Sequence, residues 1–151
     1  MAPAHARDSA AAAPPATVGG HRLVVVDSIT EITPACAGAL VVSGSHGGRS
    51  SGGYALAVPL ALACFNDAGV GKDRAGIVAL DLLDHAGVPA IAVGHVSARI
   101  GDAPDAWHHG IISHVNAAAS TCGLRPGDLL RVAVERAFGT TPERGVHPPP
   151  A

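Results

Sequence analysis

Val41-Val42-Ser43-Gly44-Ser45-His46-Gly47-Gly48-Arg49-Ser50-Ser51-Gly52-Gly53 joins an apolar run to a stretch of Gly, Ser, His and Arg, and a helix-like run follows from Tyr54. An apolar strand that opens into a small-residue loop ahead of a helix leaves backbone N–H groups free to face a ligand. The stretch therefore predicts one strand-to-helix unit of an α/β fold, with the floor of a small-molecule site at the carboxyl end of the strand.

The same grammar repeats on both sides. Upstream, residues 23–26 form a continuous apolar run, as expected of a strand buried on both faces. Thr33-Pro34 starts a single helical turn, and residues 39–42 form the strand that enters the Gly/Ser loop. Downstream, a helix is expected over residues 54–61, ended or kinked by Pro59. A third strand at 63–65 opens into Asn66-Asp67-Ala68-Gly69-Val70-Gly71-Lys72, and Asp73 caps a helix over 74–85. A fourth strand at 90–93 opens into a loop over 94–102. Residues 103–122 read as a helix broken at Gly110, and 129–138 as a last helix or, failing that, an edge strand. The alternation of strands and helices implies a single-domain, three-layer open α/β sheet, mainly parallel, with four to five strands. The domain is expected over 21–139, between a disordered Ala/Pro-rich leader (1–20) and a disordered Pro-rich tail (140–151).

Composition narrows the function classes. Of the 151 residues 48% are apolar and only 3% aromatic, so the core must be built from Val, Ala, Leu and Ile, and stacking platforms for RNA are lacking. A net charge of −2 gives no footprint for nucleic acid. No apolar run approaches the length of a membrane span. Cys36, Cys64 and Cys122 are widely spaced, as in a reduced cytoplasmic protein without a disulfide frame or zinc site.

Three successive strand ends carry polar residues, while the opposite loops are bland, and ligands of such sheets sit beyond the carboxyl ends of the strands. In the first loop Ser45 stands where a nucleophile elbow would place its serine, with Ser43 in place of the first glycine. Two other readings stay open: a small-residue loop whose amides, Gly47 and Gly48 among them, hold an anion, and a tight structural crossing. His46 and His95 are candidate proton carriers, because imidazole titrates near neutrality. Asp67 or Asp102 would orient them. Asn66, Lys72, Ser97, Arg99, His114 and Asn116 join Ser43 and the two glycines as candidate substrate ligands. Arg99 is suited to clamp a carboxylate or to brace the loops through Asp102 or Asp67. Nine histidines raise the question of a metal, but His109 and His114 lack the i, i+4 spacing of a helical zinc site.

Ser43–Gly48, Asn66–Asp73 and Ser97–Asp102 spell SGSHGG, NDAGVGKD and SARIGD. Together with Ile112-Ser113-His114-Val115-Asn116, these blocks resemble those of a family of short, functionally uncharacterised bacterial proteins, over residues 23–122. The resemblance implies that the three loops act as one unit; it assigns no catalytic role.

The expected function is that of a cytoplasmic enzyme, hydrolase or lyase in type, acting without a cofactor on a small anionic metabolite, carboxylate or amide. Ser45, His46, Asp67, His95 and Asp102 are its expected catalytic inventory. A non-catalytic ligand-binding or accessory subunit of a larger enzyme complex is the alternative, and a metal-dependent hydrolase using His46, His95 and His114 a third. The few charges fit a homo-oligomer or a subunit of a complex.

Overall fold

The computed structural model describes residues 13–139. Its sheet has six strands, in order β1 (Thr17–Val18), β2 (His21–Val26), β3 (Leu40–His46), β4 (Leu62–Asn66), β5 (Ala90–Val93) and β6 (Ile112–Val115). Strands β2 to β5 are parallel, and β1 and β6 close the two edges antiparallel. The sheet is thus the mainly parallel α/β sheet expected, with six strands instead of four to five. Both additional strands are the antiparallel edges. Thr17–Val18 lies in the segment read as a leader, but Gly19 and Gly20 both adopt positive φ (+56° and +90°), the geometry of a tight hairpin, and fold it onto β2. The remainder of the expected leader, 1–12, and the tail, 140–151, lie outside the described residues.

Because the strand order is sequential, each parallel crossover steps the same way, and α1 (Arg49–Leu56) and α2 (Val78–His85) cover one face. There Val41, Ala63, Phe65, Ala90 and Ala92 meet Ala55, Val58, Ile77, Leu80 and Leu83. Alternate residues of the same strands, Leu40, Val42, Leu62, Cys64, Ile91 and Val93, point the other way. They meet Ala106 and Trp107 of α3 (Ala103–His109) and Leu130, Ala133 and Val134 of α5 (Leu130–Phe138). A three-layer domain results. To reach its second face the chain leaves β5 through residues 94–102 and crosses back over the carboxyl ends of the strands. Gly101 N–H donates to the Gly44 carbonyl (2.7 Å) and the Asn66 amide donates to the Ala98 carbonyl (2.9 Å).

Several elements differ from their sequence reading. Residues 43–46 extend β3 instead of leaving it, because tertiary partners satisfy them: Gly44 N–H donates to Asp27 O (3.1 Å) and Ser43 Oγ to Cys64 O (2.9 Å). Helix α1 begins at Arg49, five residues before Tyr54, so only Gly47 and Gly48 remain as loop. Helix α2 begins at Val78, not Arg74, since Asp73 and Arg74 have positive φ (+57° and +60°) and cannot open an α-helix. The expected helix over 103–122 is three elements: α3, β6 and α4 (Ala117–Thr121). Gly110 lies against Val93, where a Cβ would approach that side chain to 2.9 Å, and Ile112 pairs with Val93 as a strand. Residues 129–138 resolve as helix. Among the described residues no helix is long and apolar enough to cross a membrane.

Candidate functional site

The loops after β3, β4 and β5 meet on one rim. His46 pairs with Asn66, and Asn66 with Val93. The Gly47 N–H donates to the Asn66 carbonyl (3.2 Å), and the Asp67 N–H to the Val93 carbonyl (2.8 Å). Adjacent parallel strands ending in step hold these residues side by side.

At the centre stands Asp67, buried at 5% exposure. Its Oδ1 accepts from the amide of Gly69 (2.8 Å), the amide of His95 (3.1 Å) and the ring Nδ1 of His95 (3.3 Å). Burial alone would raise the Asp67 pKa. The N–H of Gly69, the hydroxyl of Ser113 and the amide and ring of His95 outweigh it and hold the carboxyl below the usual carboxylate range. The Ser113 hydroxyl also stands 3.3 Å from the Ala92 carbonyl, so it serves either acceptor by rotating. The His95 side chain is 55% exposed, and among the described residues its Nε2 has no partner. A buried carboxylate thus fixes one nitrogen of an imidazole and leaves the other to solvent.

The segment beside this pair is strained. Ala68, Val70, Asp73 and Arg74 have φ of +51°, +68°, +57° and +60°, a region unfavourable to residues with a Cβ and most so to β-branched Val70. Gly71 N–H donates to the Gly69 carbonyl (2.8 Å) around Val70, which makes a γ-turn of the rare, strained hand. Such departures persist only where surrounding contacts over-determine them, and they concentrate at functional sites. Ala68 is exposed, so Ala68→Gly is expected to raise stability by about 0.5–1 kcal/mol, the relief of left-handed strain less the entropy of a freer glycine. A denaturant titration checks it.

No protein-family profile, curated protein or solved structure matches the chain.

The other expected site residues fall into three groups. His46 is exposed at the rim, its ring beside Gly48: a Cβ added there would lie 2.8 Å from His46 Nε2. Gly48 precedes α1 with its N–H at the helix start, and Lys72 is exposed on the turn Lys72–Arg74. A second group holds the rim together. Ser43 is buried against β4. Asn66 links Ala68 N–H (2.9 Å) to Ala98 O, Ser97 Oγ joins Gly94 O (2.8 Å) to Ile111 N–H (2.9 Å), and the Gly47 amide is taken by Asn66. Ser45 Oγ accepts from Ile29 N–H (2.9 Å), on the side of the turn Ile29–Glu31. Asp102 caps α3 through Asp105 N–H (3.0 Å) and lies 3.4 Å from Arg99 Nε, so Asp102 and Arg99 brace each other and not Asp67.

The third group lies on or beyond β6. His114 Nδ1 is 3.0 Å from Ser113 Oγ, next to the Asp67 cluster. Asn116 leaves the site altogether. Strand β6 runs antiparallel and carries Asn116 to the opposite end of the sheet, where it bonds Ala90 N–H (3.1 Å), Leu80 O (3.1 Å), Val88 O (3.0 Å) and Ala119 N–H (2.9 Å). Ser113 is the contributor that the helix reading of 103–122 concealed; β-branched Ile111-Ile112 between Gly110 and Asn116 was the available signal. Among the described residues no three His, Cys, Asp or Glu side chains gather in a way that could hold a metal ion.

Asp67, Asp105 and Asp128 all have lowered pKa values. In Asp105 desolvation is outweighed chiefly by the Arg99 amide and the His109 ring; Asp128 is held down mainly by Arg136. A folded-state pKa below the unfolded value, about 3.9 for Asp, gives stability that is present above that value and lost as pH falls through the folded one. Urea midpoints are therefore expected to be flat from neutrality to about pH 5 as far as these groups are concerned, and to fall below about pH 4. Asp67→Asn should flatten part of that limb.

Proposed function

We propose that the protein is a small-molecule enzyme, hydrolase or lyase in type, in which His95 is the general base and Asp67 its orienting partner. The observation that carries this reading is the buried Asp67 carboxylate bonded to His95 Nδ1, with Nε2 left open over the rim. In this arrangement the carboxylate fixes the ring, favours the Nδ1–H tautomer and stabilises the imidazolium formed when Nε2 takes a proton. That proton comes from water in a hydrolysis, or from a carbon next to a carbonyl or carboxylate in an elimination. Ser45 is not the nucleophile in this scheme, because its oxygen is turned to the Ile29 amide. His46 and Lys72 border the same rim and suit a small anionic substrate. The supporting strain at 68–74 keeps Gly69 N–H on the carboxylate.

The test is a panel of chromogenic esters and amides and of small hydroxy- and amino-carboxylates, with His95→Gln assayed beside the natural protein. Turnover in one class that disappears in a folded His95→Gln protein supports the proposal. Turnover that survives the substitution overturns it.

A further inference from the structure

We propose that Ser113 is a positioning residue of the same site: set into a bulge of β6, its hydroxyl joins the Asp67 carboxylate to Nδ1 of His114, so that one buried carboxylate holds two imidazoles, His95 directly and His114 at one remove. The proposal rests on the enzyme reading above and concerns how its base is held.

The register of β6 is the first observation. Ile91 faces Val115 and Ala92 faces His114, but Val93 faces Ile112, so Ser113 is one residue more than β5 can match. A bulge of this kind bends one strand and re-aims a side chain, and bulges are frequent next to active sites. In an unbroken ladder Ser113 would stand opposite Val93 and share its face, the apolar one that holds Trp107 and Leu130. The bulge gives that place to Ile112, which is buried in the same cluster. It turns the Ser113 hydroxyl to the Ala92 carbonyl (3.3 Å) and to the Asp67 carboxyl.

Second, Nδ1 of His114 lies 3.0 Å from Ser113 Oγ. Successive side chains of a regular strand point to opposite faces. A hydrogen bond between these two neighbours is therefore a product of the bulge.

Third, the count of hydrogens sets the direction of the chain. A serine hydroxyl has one proton to give and two lone pairs. The Asp67 carboxyl is held ionised, so it only accepts, and it draws the proton more strongly than the neutral carbonyl of Ala92. Ser113 then meets His114 with a lone pair, and Nδ1 of His114 must carry the hydrogen. His95 is in the same state, donating from Nδ1 to Asp67 Oδ1. The amides of Gly69 and His95 also reach Oδ1. The hydroxyl adds a tie from β6 that fixes the plane of the carboxyl against the His95 ring.

The full chain, labelled with nitrogen-15, would be followed by NMR without any ligand at alkaline pH, where imidazole is neutral. His114 is expected as the Nδ1–H tautomer, turning to the Nε2–H form in Ser113→Ala. The His95 Nδ1 resonance should move in the same variant, because the carboxylate it bonds has lost a donor. Ser113→Thr keeps the hydroxyl and suits a strand, and should restore both signals. With a responding substrate, Ser113→Ala should lower kcat about tenfold at unchanged KM, the worth of one hydrogen bond to a charged group, and Ser113→Thr should recover it. His114 as Nε2–H in the natural protein would mean that the hydroxyl points at the ring and not at the carboxylate, and would overturn the proposal. So would a His95 resonance unmoved, or a kcat undiminished, in a folded Ser113→Ala protein. The NMR readings need no substrate, so the two proposals fail separately. A failed tautomer test removes the bridge and leaves His95 as base; turnover that survives His95→Gln removes the base and leaves the bridge.

Discussion

Asp67→Asn is expected to lower turnover of the responding substrate by about 10²–10⁴-fold, the range for loss of an effective general base. The reason lies in what asparagine keeps and what it loses. Its carbonyl oxygen still accepts from the amides of Gly69 and His95, which lie 2.8 and 3.1 Å from Oδ1, so the two loops stay joined. The charge is gone, however, and with it the stabilisation of the imidazolium that the proposed proton transfer to His95 would form. The amide also replaces an acceptor by a donor beside Ser113, whose hydroxyl then keeps to the Ala92 carbonyl. The loss should fall on kcat with little change in KM, since Asp67 is buried and in the proposed scheme would act on substrate only through His95. Nitrogen-15 shifts of the His95 ring should report a smaller Nδ1–H population in the variant. A folded Asp67→Asn protein with undiminished kcat would remove the Asp67–His95 pair from the mechanism.

What the sequence disclosed follows from how local each feature is. Strand β5, Ala90-Ile91-Ala92-Val93, is buried on both faces, which demands apolar residues throughout, and the Leu23-Val24-Val25-Val26 run of β2 is apolar because its buried or partly buried side chains pack alternately against the two core clusters. The far half of β3 was hidden. Ser43, Gly44 and Ser45 have no strand preference and are held by Asp27 O, Cys64 O and Ile29 N–H, contacts no window of sequence displays. Strand β6 was hidden for the same reason: it is stabilised by β5, some twenty residues away, and sits between two Ala-rich helices.

At the site, Asp67 and His95 were each visible as polar residues separated by one position from the end of an apolar run. Their pairing was not, because 28 positions separate them and only the parallel register of β4 and β5 brings them together. Asn116 misled for the converse reason. Its closeness to His114 in the chain is closeness along an antiparallel strand, which leads away from the rim. The positive φ of Val70 and Asp73 was invisible because neither residue type announces it.

Gly76→Ala should be strongly damaging, lowering stability by about 3 kcal/mol and activity with it. A Cβ at Gly76 would overlap the carbonyl oxygen of Asp67 and come within 3.0 Å of the Val70 carbonyl. Neither neighbour can yield cheaply. Both are backbone, and the turn is locked by Gly76 N–H to Val70 O (2.7 Å), Val70 N–H to Asp67 O (2.7 Å) and Asp67 N–H to Val93 O (2.8 Å). Any relief must move Asp67 itself, and so shift its carboxylate against His95. Gly53→Ala is the control: it faces open space in α1, and alanine there should stabilise by about 0.5–1 kcal/mol through helix propensity alone. Chemical denaturation of the two variants should move in opposite directions. A Gly76→Ala protein as stable as the natural one would mean that the 67–76 turn adapts freely, and the strained positive-φ segment beside the carboxylate would then lose its role in holding the base in place.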